Sequence, residues 1–439
     1  MLLLDATSLG SPKPRRRGGI TLVLLLFLGI FLVALALVVE SASLWTSRQE
    51  LNVAADAAAL AAVQALANDI LLTGRPEAMP TVVEQARLAA QHVGRLNVAA
   101  GLPHEFNLNA ENDPAGDIVV GFIDDPASRS FSPASVAEQC DPLVNAVLIR
   151  AERSRGRGTP VTLYFGRLNG KLGADVRAEA LGYLDRDVIG FRPQDGVPAP
   201  LMPFAIFSDP TMQQPASWEA QTAGPNVDRA HAGQDRFAYD PNAKRFREVG
   251  VDADQGNGIC EMTVRLPLSG ASFDDVPDAD EPNGTLLTLG QPGTRSRQIR
   301  QGVVRDDLLE FGGELVLAWD DRLFVPGEIF GPQSSDPELK NLLAAVEQLA
   351  KRPEPRIWPL YQAMQPAGTN VPPTVVVTGF VAARLARVRL SDAPYPNLEL
   401  ILEPCALITN TAVTDASRRR TDGLGPTPNR YIAKARLLK

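Results

Sequence analysis

Residues Gly18–Val39 read GGITLVLLLFLGIFLVALALVV, an unbroken run of 22 residues without a charge. As a helix this run is roughly 33 Å long, about the thickness of the hydrocarbon core of a bilayer. The first charged residue after it is Glu40. The run therefore predicts a transmembrane helix over residues 18–39, and this segment decides the architecture of the whole chain.

Basic residues mark one side of the span. Residues 1–17 form a basic segment, and its charges closest to the span are Lys13, Arg15, Arg16 and Arg17, whereas the first basic residue after the span is Arg48. This asymmetry places the N-terminus in the cytoplasm and the bulk of the chain on the far side of the membrane. The alternative is a cleaved secretory signal, with small residues at positions 34/36 and 41/43. The apolar core of such a signal is shorter, roughly 7–15 residues.

The helix is expected to continue past the membrane over residues 40–70. Residues 41–70 contain neither Gly nor Pro, and nine of the 14 residues from Ala54 to Ala67 are Ala, the best helix former. One continuous helix is therefore predicted from about Ile20 to about Ile70. A stripe of mostly small residues repeats along it at helical spacing: Leu44, Leu51, Ala55, Ala58, Ala62 and Ala65. Such a stripe packs either on the protein's own globular part or against a partner's helix. Asp56 is the only charge between Leu51 and Asn68.

The remainder of the chain predicts an α+β fold, because 36 prolines and 35 glycines favour many turns between short strands. We expect an α+β domain over 71–191, a Pro-rich linker over 192–200 and a β-rich domain over 201–439. Two amphipathic helices are predicted, Thr81–Gly94 with Thr81 as N-cap, and Pro337–Lys351 with Asp336 as N-cap. A hairpin is predicted around Asp240-Pro241-Asn242.

Little in the sequence indicates chemistry. The net charge of −8 argues against nucleic-acid binding, because phosphates attract a basic surface. Gly166–Lys171 lacks the spacing of a phosphate loop, and the three histidines lack metal-ligand spacing. Asp252 and Asp254 resemble the start of a calcium loop, but the Gly and Asn that follow fit a turn better. We expect no enzyme activity, no cofactor and no small-molecule substrate.

Three cysteines, Cys140, Cys260 and Cys405, allow one disulfide in an exported protein. A Cys260–Cys405 bridge is the expected pairing, since both lie beside predicted strands of the second domain. Three unpaired thiols are the alternative.

The N-terminal residues resemble a known family. Arg15-Arg16-Arg17-Gly18-Gly19, the span, and then SRQELNVAADAAALA at 47–61 are similar to the start of TadE/TadG-like proteins of the Flp, or tight-adherence, pilus assembly system. Weaker likeness lies at 144–147, 164–168, 200–206 and 377–380. The sequence departs from the prepilin pattern at Leu24, where a processed prepilin carries Glu, and Asp124–Ser130 does not match the metal motif of a von Willebrand type A domain.

The resemblance implies a structural component of a pilus assembly or secretion apparatus in the bacterial inner membrane. Its partners would be membrane lipid and other pilus-assembly or envelope proteins, met through the Ala-rich helix. An anchored extracytoplasmic binding or adhesion protein outside any pilus machine is the alternative.

The charge asymmetry generates a topology prediction. A reporter enzyme that is active only after export, fused after residue 100, is expected to be active, because the basic residues hold the N-terminus inside. Activity confined to a reporter that works only in the cytoplasm would contradict this orientation.

Overall fold

The computed structural model describes residues 19–75, 77–166, 170–223, 234–249, 256–267, 281–291, 293–328, 337–365, 373–391, 397–418 and 428–438. It confirms the α+β class: a long apolar N-terminal helix is followed by a mostly β, loop-rich region. The basic residues Lys13, Arg15, Arg16 and Arg17 lie outside the described residues, as do Asp252, Asp254 and Asp336.

The described α-helices are Gly19–Ala65 (α1), Ala78–Leu96 (α2), Trp218–Thr222 (α3), Arg295–Gln301 (α4) and Pro337–Lys351 (α5). The strands before residue 200 are Val98–Ala99 (β1), Leu102–Pro103 (β2), Ile118–Ile123 (β3), Phe131–Pro133 (β4), Ala146–Arg153 (β5), Val161–Thr162 (β6), Gly173–Ala174 (β7), Val176–Asp185 (β8) and Val188–Phe191 (β9). Those after it are Phe204–Phe207 (β10), Phe237–Asp240 (β11), Arg245–Glu248 (β12), Met262–Pro267 (β13), Gly284–Leu287 (β14), Leu315–Val316 (β15), Leu323–Glu328 (β16), Arg356–Gln365 (β17), Thr374–Ser391 (β18), Asn397–Pro404 (β19), Leu407–Ile408 (β20), Ala412–Thr414 (β21) and Ile432–Leu438 (β22).

The predicted continuous helix is confirmed from Gly19 to Ala65, and it ends five residues before the expected Ile70. Asn68 causes the early end. Its backbone is extended, with φ −130° and ψ 136°, and its side-chain oxygen accepts a hydrogen bond from the Ile70 amide at 3.1 Å. Asn competes with helical hydrogen bonds in this way, so a separate 3₁₀ turn, Asp69–Thr73, follows.

A six-stranded sheet, in the order β20-β22-β8-β5-β3-β4, carries the first core. Strands β5 and β8 are antiparallel, with Ala146 opposite Tyr183 and Arg153 opposite Val176. Helices α1 and α2 pack on this sheet and bury a single hydrophobic cluster with it. The membrane helix therefore continues directly into the core of the globular part.

A seven-stranded sheet, in the order β13-β19-β18-β16-β14-β10-β17, carries the second core. Strand β17 also pairs with β18, which closes five of these strands into a ring. Strand β18 is one strand of 18 residues, with a register shift between Leu385 and Arg387. The shift lets one long strand bend and serve two neighbours.

The end of the chain returns to the first sheet. Strand β22 pairs antiparallel with β8, so Leu438 lies opposite Leu181 in the first sheet. Residues of the predicted second domain thus complete the sheet of the predicted first domain. The boundaries at 71–191, 192–200 and 201–439 remain predictions, and the expected linker is packed: Ala199 is buried and bridges to Val303.

Two local expectations are corrected. Helix α2 begins at Ala78, before the expected N-cap Thr81, whose hydroxyl donates back to the Glu77 carbonyl from within the helix. The Cys260–Cys405 bridge is wrong, since all three cysteines are free thiols. The register that pairs Met262 with Leu402 would place Cys260 opposite residue 404, so Cys405 points to the other face of the sheet. The hairpin β11–β12 and the helix α5 are confirmed.

Gly182 on β8 generates a stability prediction, because α1 passes directly over it. A Cβ at this position would lie 2.7 Å from the Ala59 carbonyl oxygen and 2.5 Å from a Val63 methyl. Gly182→Ala should lower the free energy of unfolding by about 1–3 kcal/mol through overpacking. Thermal unfolding in detergent micelles measures it.

The matched control is Gly379→Ala, also in a strand, where a Cβ would meet nothing closer than 3.8 Å. That variant should stay within about 0.5 kcal/mol of the unsubstituted protein. Equal unfolding temperatures for the two variants would contradict the tight helix–sheet contact.

Candidate functional site

The membrane span of α1 is an isolated apolar surface. Nearly every side chain from Ile20 to Val39 is exposed, including Phe27 and Phe31. Among the described residues this is the one helix long and apolar enough to cross a membrane. A bilayer is the environment in which such a surface is stable, because lipid tails are as apolar as the side chains.

The predicted Ala-rich stripe lies inside the protein. Leu51, Ala55, Ala58 and Ala62 are fully buried, whereas Ala65 and Asp56 are half-buried. Of the two alternatives, the structure has the stripe packed on the chain's own sheet and on α2. These side chains fasten the globular part to the anchor.

The buried face of α1 is wider than the stripe. Four further residues, next to it on the helix surface, are also fully buried: Ala54, Ala59, Val63 and Leu66. Two adjacent rows are buried because α1 contacts a sheet on one side and α2 on the other. The high Ala content of residues 54–67 was the sequence signal for this wide buried face, because small side chains let neighbouring elements approach the helix from more than one side.

Two glutamates of α1 hold loops of the globular part against the helix. The Glu40 carboxylate accepts a hydrogen bond from the Phe165 amide at 3.2 Å, and the Glu50 carboxylate accepts one from the Ala100 amide at 2.7 Å. The globular part thus contacts α1 from the end of the span onward. It is mounted directly at the membrane, with no free linker between span and body.

The far end of the anchor helix meets the second sheet through a charged junction. Asp69, in the 3₁₀ turn after α1, forms a 2.7 Å ion pair with Arg384 of β18 and accepts a 2.6 Å hydrogen bond from the Ala406 amide. The Arg384 guanidinium also lies over the Tyr239 ring, 4.3 Å from its centre. This junction connects the anchor to residues more than 300 positions later in the chain.

Two buried glutamates, Glu403 and Glu261, lie close to the Asp69–Arg384 junction. Glu403 accepts a 3.0 Å hydrogen bond from the Asn257 side chain, and Glu261 accepts hydrogen bonds from the amides of Arg236 and Phe237. Burial raises the pKa of Glu403 to about 8 and the pKa of Glu261 to about 7. Burial also raises the pKa of nearby Asp235. Burial therefore keeps Glu403 and Glu261 protonated to a higher pH than exposed glutamates.

Sequence reasoning missed this junction because its members are far apart along the chain. The described residues contain no group of three or more His, Cys, Asp or Glu placed to hold a metal ion. His104 is buried against Phe106, and burial lowers its pKa to about 4, so it is a neutral core residue. His92 is exposed on α2, and His231 lies outside the described residues.

An open cleft of about 670 Å³ is lined by residues of β9, β17 and β18 and by the segment 428–431. Some of its charged side chains are bonded to other protein groups. Glu219 accepts hydrogen bonds from the Ser208 hydroxyl and the Asp209 amide, and Arg418 pairs with Asp321 at 3.1 Å. These three side chains therefore have a structural role in the cleft wall.

These features define a class: a protein with an N-terminal membrane anchor whose helix continues into a globular body. Residues 18–65 match the Tad family model, described as "Putative Flp pilus-assembly TadE/G-like". The match confirms the TadE/TadG-like resemblance over this segment, which ends at the last residue of α1. Comparisons with curated proteins and with solved structures returned no match.

The buried glutamates generate a pH prediction. Between about pH 4.5 and pH 8 the folded protein retains protons on Glu403 and Glu261 that the unfolded chain, with carboxyl pKa values near 4.5, releases. The free energy of unfolding should therefore fall as pH rises through this window. Glu403→Gln, which cannot ionise, should be more stable than the unsubstituted protein at pH 8 by on the order of 4 kcal/mol, and at pH 5 by no more than about 1 kcal/mol.

Thermal unfolding at both pH values measures this difference. Glu347→Gln, at an exposed position on α5, is the control for removing a carboxylate from the protein surface. A Glu403→Gln effect of the same size at pH 5 and pH 8 would show that Glu403 is ionised in the folded protein.

Proposed function

We propose that this chain is a membrane-anchored structural component of a Flp/Tad-type pilus assembly or secretion apparatus. The observation that carries the proposal is that the family segment, residues 18–65, and the helix α1 are the same element. The part of the chain that resembles the pilus-assembly proteins is thus the part that crosses the membrane and organises the body.

The construction of the body supports a structural role. Helix α1 is continuous through the membrane boundary, and the body is fastened to it by a buried Ala-rich face and by Glu40, Glu50 and Asp69. A rigid mount of this kind transmits position and force from the membrane to the body. The Tad family is an assembly family, and we infer that the chain is not an enzyme.

The orientation follows from the basic residues before the span. We infer that Lys13, Arg15, Arg16 and Arg17 stay in the cytoplasm of a bacterium and that the body lies outside the inner membrane, in the periplasm or beyond. Because the Ala-rich stripe is buried, other pilus-assembly proteins would meet exposed surfaces. The outer face of α1 is one such surface: Val53 is 60% exposed there.

Deletion of the gene in the source bacterium tests the proposal. Surface pili, counted by electron microscopy, should be lost and should return with the unsubstituted gene. A photo-crosslinking residue at Val53 should capture apparatus proteins in these cells. The same residue at Ala62, which is fully buried on the opposite face, is the matched control and should capture none.

The alternative, an anchored binding or adhesion protein outside any pilus machine, predicts a different result. Normal pili in the deletion strain, together with a loss of attachment, would overturn the assembly role and favour that alternative.

A further inference from the structure

The hairpin β6–β7 ends in an exposed apolar tip. Val161 pairs with Ala174 and Thr162 with Gly173, and the tip closes with a hydrogen bond from the Leu163 amide to the Leu172 carbonyl at 3.2 Å. The described residues of the tip are 163–166 and 170–172. Tyr164 is 69% exposed and Leu172 is 67% exposed. Large apolar side chains presented together at the end of a hairpin are costly in water.

The contact of this tip with α1 fixes its height relative to the membrane. The Phe165 amide donates to the Glu40 carboxylate at 3.2 Å. Glu40 is the first charged residue after the span, so its carboxylate lies at the boundary between hydrocarbon and headgroups. The neighbours of Phe165, among them Tyr164, therefore lie within a few ångströms of that boundary.

The chemistry around this boundary fits a lipid surface. Tyr164 and Phe165 carry aromatic rings, and Trp45, 66% exposed, lies five residues beyond Glu40 on α1, or about 7.5 Å along the helix. Aromatic side chains concentrate at this depth because an amphipathic ring satisfies both phases. Lys171, exposed beside Leu172, suits an anionic headgroup.

We propose that Tyr164, Phe165 and Leu172, near the end of the β6–β7 hairpin, insert into the headgroup–acyl boundary of the bilayer that α1 crosses, on the side of the bilayer where the body lies. The body then has two membrane contacts, and its orientation relative to the membrane plane is set. A single helix leaves the tilt of its body free, whereas a second contact removes that freedom. The proposal requires only that α1 spans the membrane, and it is independent of the pilus role.

Depth-dependent fluorescence quenching tests the insertion. The full chain is placed, one copy per disc, in nanodiscs of phosphatidylethanolamine and phosphatidylglycerol. A Cys140→Ser background removes the exposed native thiol and leaves two buried ones. A fluorophore on Leu172→Cys should be quenched at least about twofold by nitroxide-labelled lipid and should be shielded from aqueous iodide, as expected for a group buried in the interface.

Leu143→Cys is the matched control. Leu143 is 57% exposed, and its neighbour Pro142 is linked through Arg186 to Leu66. Leu66 lies 26 residues after Glu40, or about 39 Å along the helix direction. A fluorophore there should be quenched by iodide and not by the labelled lipid. Adding Tyr164→Glu to the Leu172→Cys chain should reduce lipid quenching by about half or more, because a charge opposes insertion.

Unfolding temperatures close to that of the Cys140→Ser protein show that the labelled chains are folded. Equal behaviour of the labels at 172 and 143 in folded protein would overturn the proposal. Shielding of the 172 label in native membranes, without lipid quenching in single-copy discs, would also overturn it and assign the tip to a protein partner.

Discussion

Everything in this molecule depends on the close approach of α1 to the first sheet. Ala59 and Val63 sit directly against Gly182, where even one methyl group would collide with the helix backbone. Alanines on α1 and a glycine on β8 let a helix lie on a sheet at this short distance and bury a continuous interface. The same helix crosses the membrane, so it is both the membrane anchor and part of the protein core.

The second constraint lies at the other end of the helix extension. There the Asp69–Arg384 pair joins the anchor to β18, and Glu403 and Glu261 are buried behind it. Buried carboxyl groups destabilise a fold when ionised, so their raised pKa values make this junction sensitive to pH around neutrality. Strand β22, which returns to pair with β8, links the two sheets a second time.

Together these contacts give the body one position relative to its anchor. The Glu40, Glu50 and Asp69 side chains tie loops and strands to α1 at its membrane end, midway and at its far end. The TadE/G-like match covers α1, the helix to which the body is fixed.

The sequence by itself determined the span, the continuation of its helix, the α+β class and the family resemblance, because hydropathy, Ala content and local motifs depend on neighbouring residues. It also contained the stripe at Leu51, Ala55, Ala58 and Ala62, but not what covers it, since a small apolar face suits a sheet as well as a partner's helix. Only the tertiary structure decided that the chain's own sheet covers it. The Asp69–Arg384 junction and the β22–β8 pairing were likewise beyond local patterns, because their members are brought together by the fold across hundreds of residues. The early end of α1 is a different case: its cause, Asn68, was visible in the sequence, because an Asn side chain competes locally with helical hydrogen bonds.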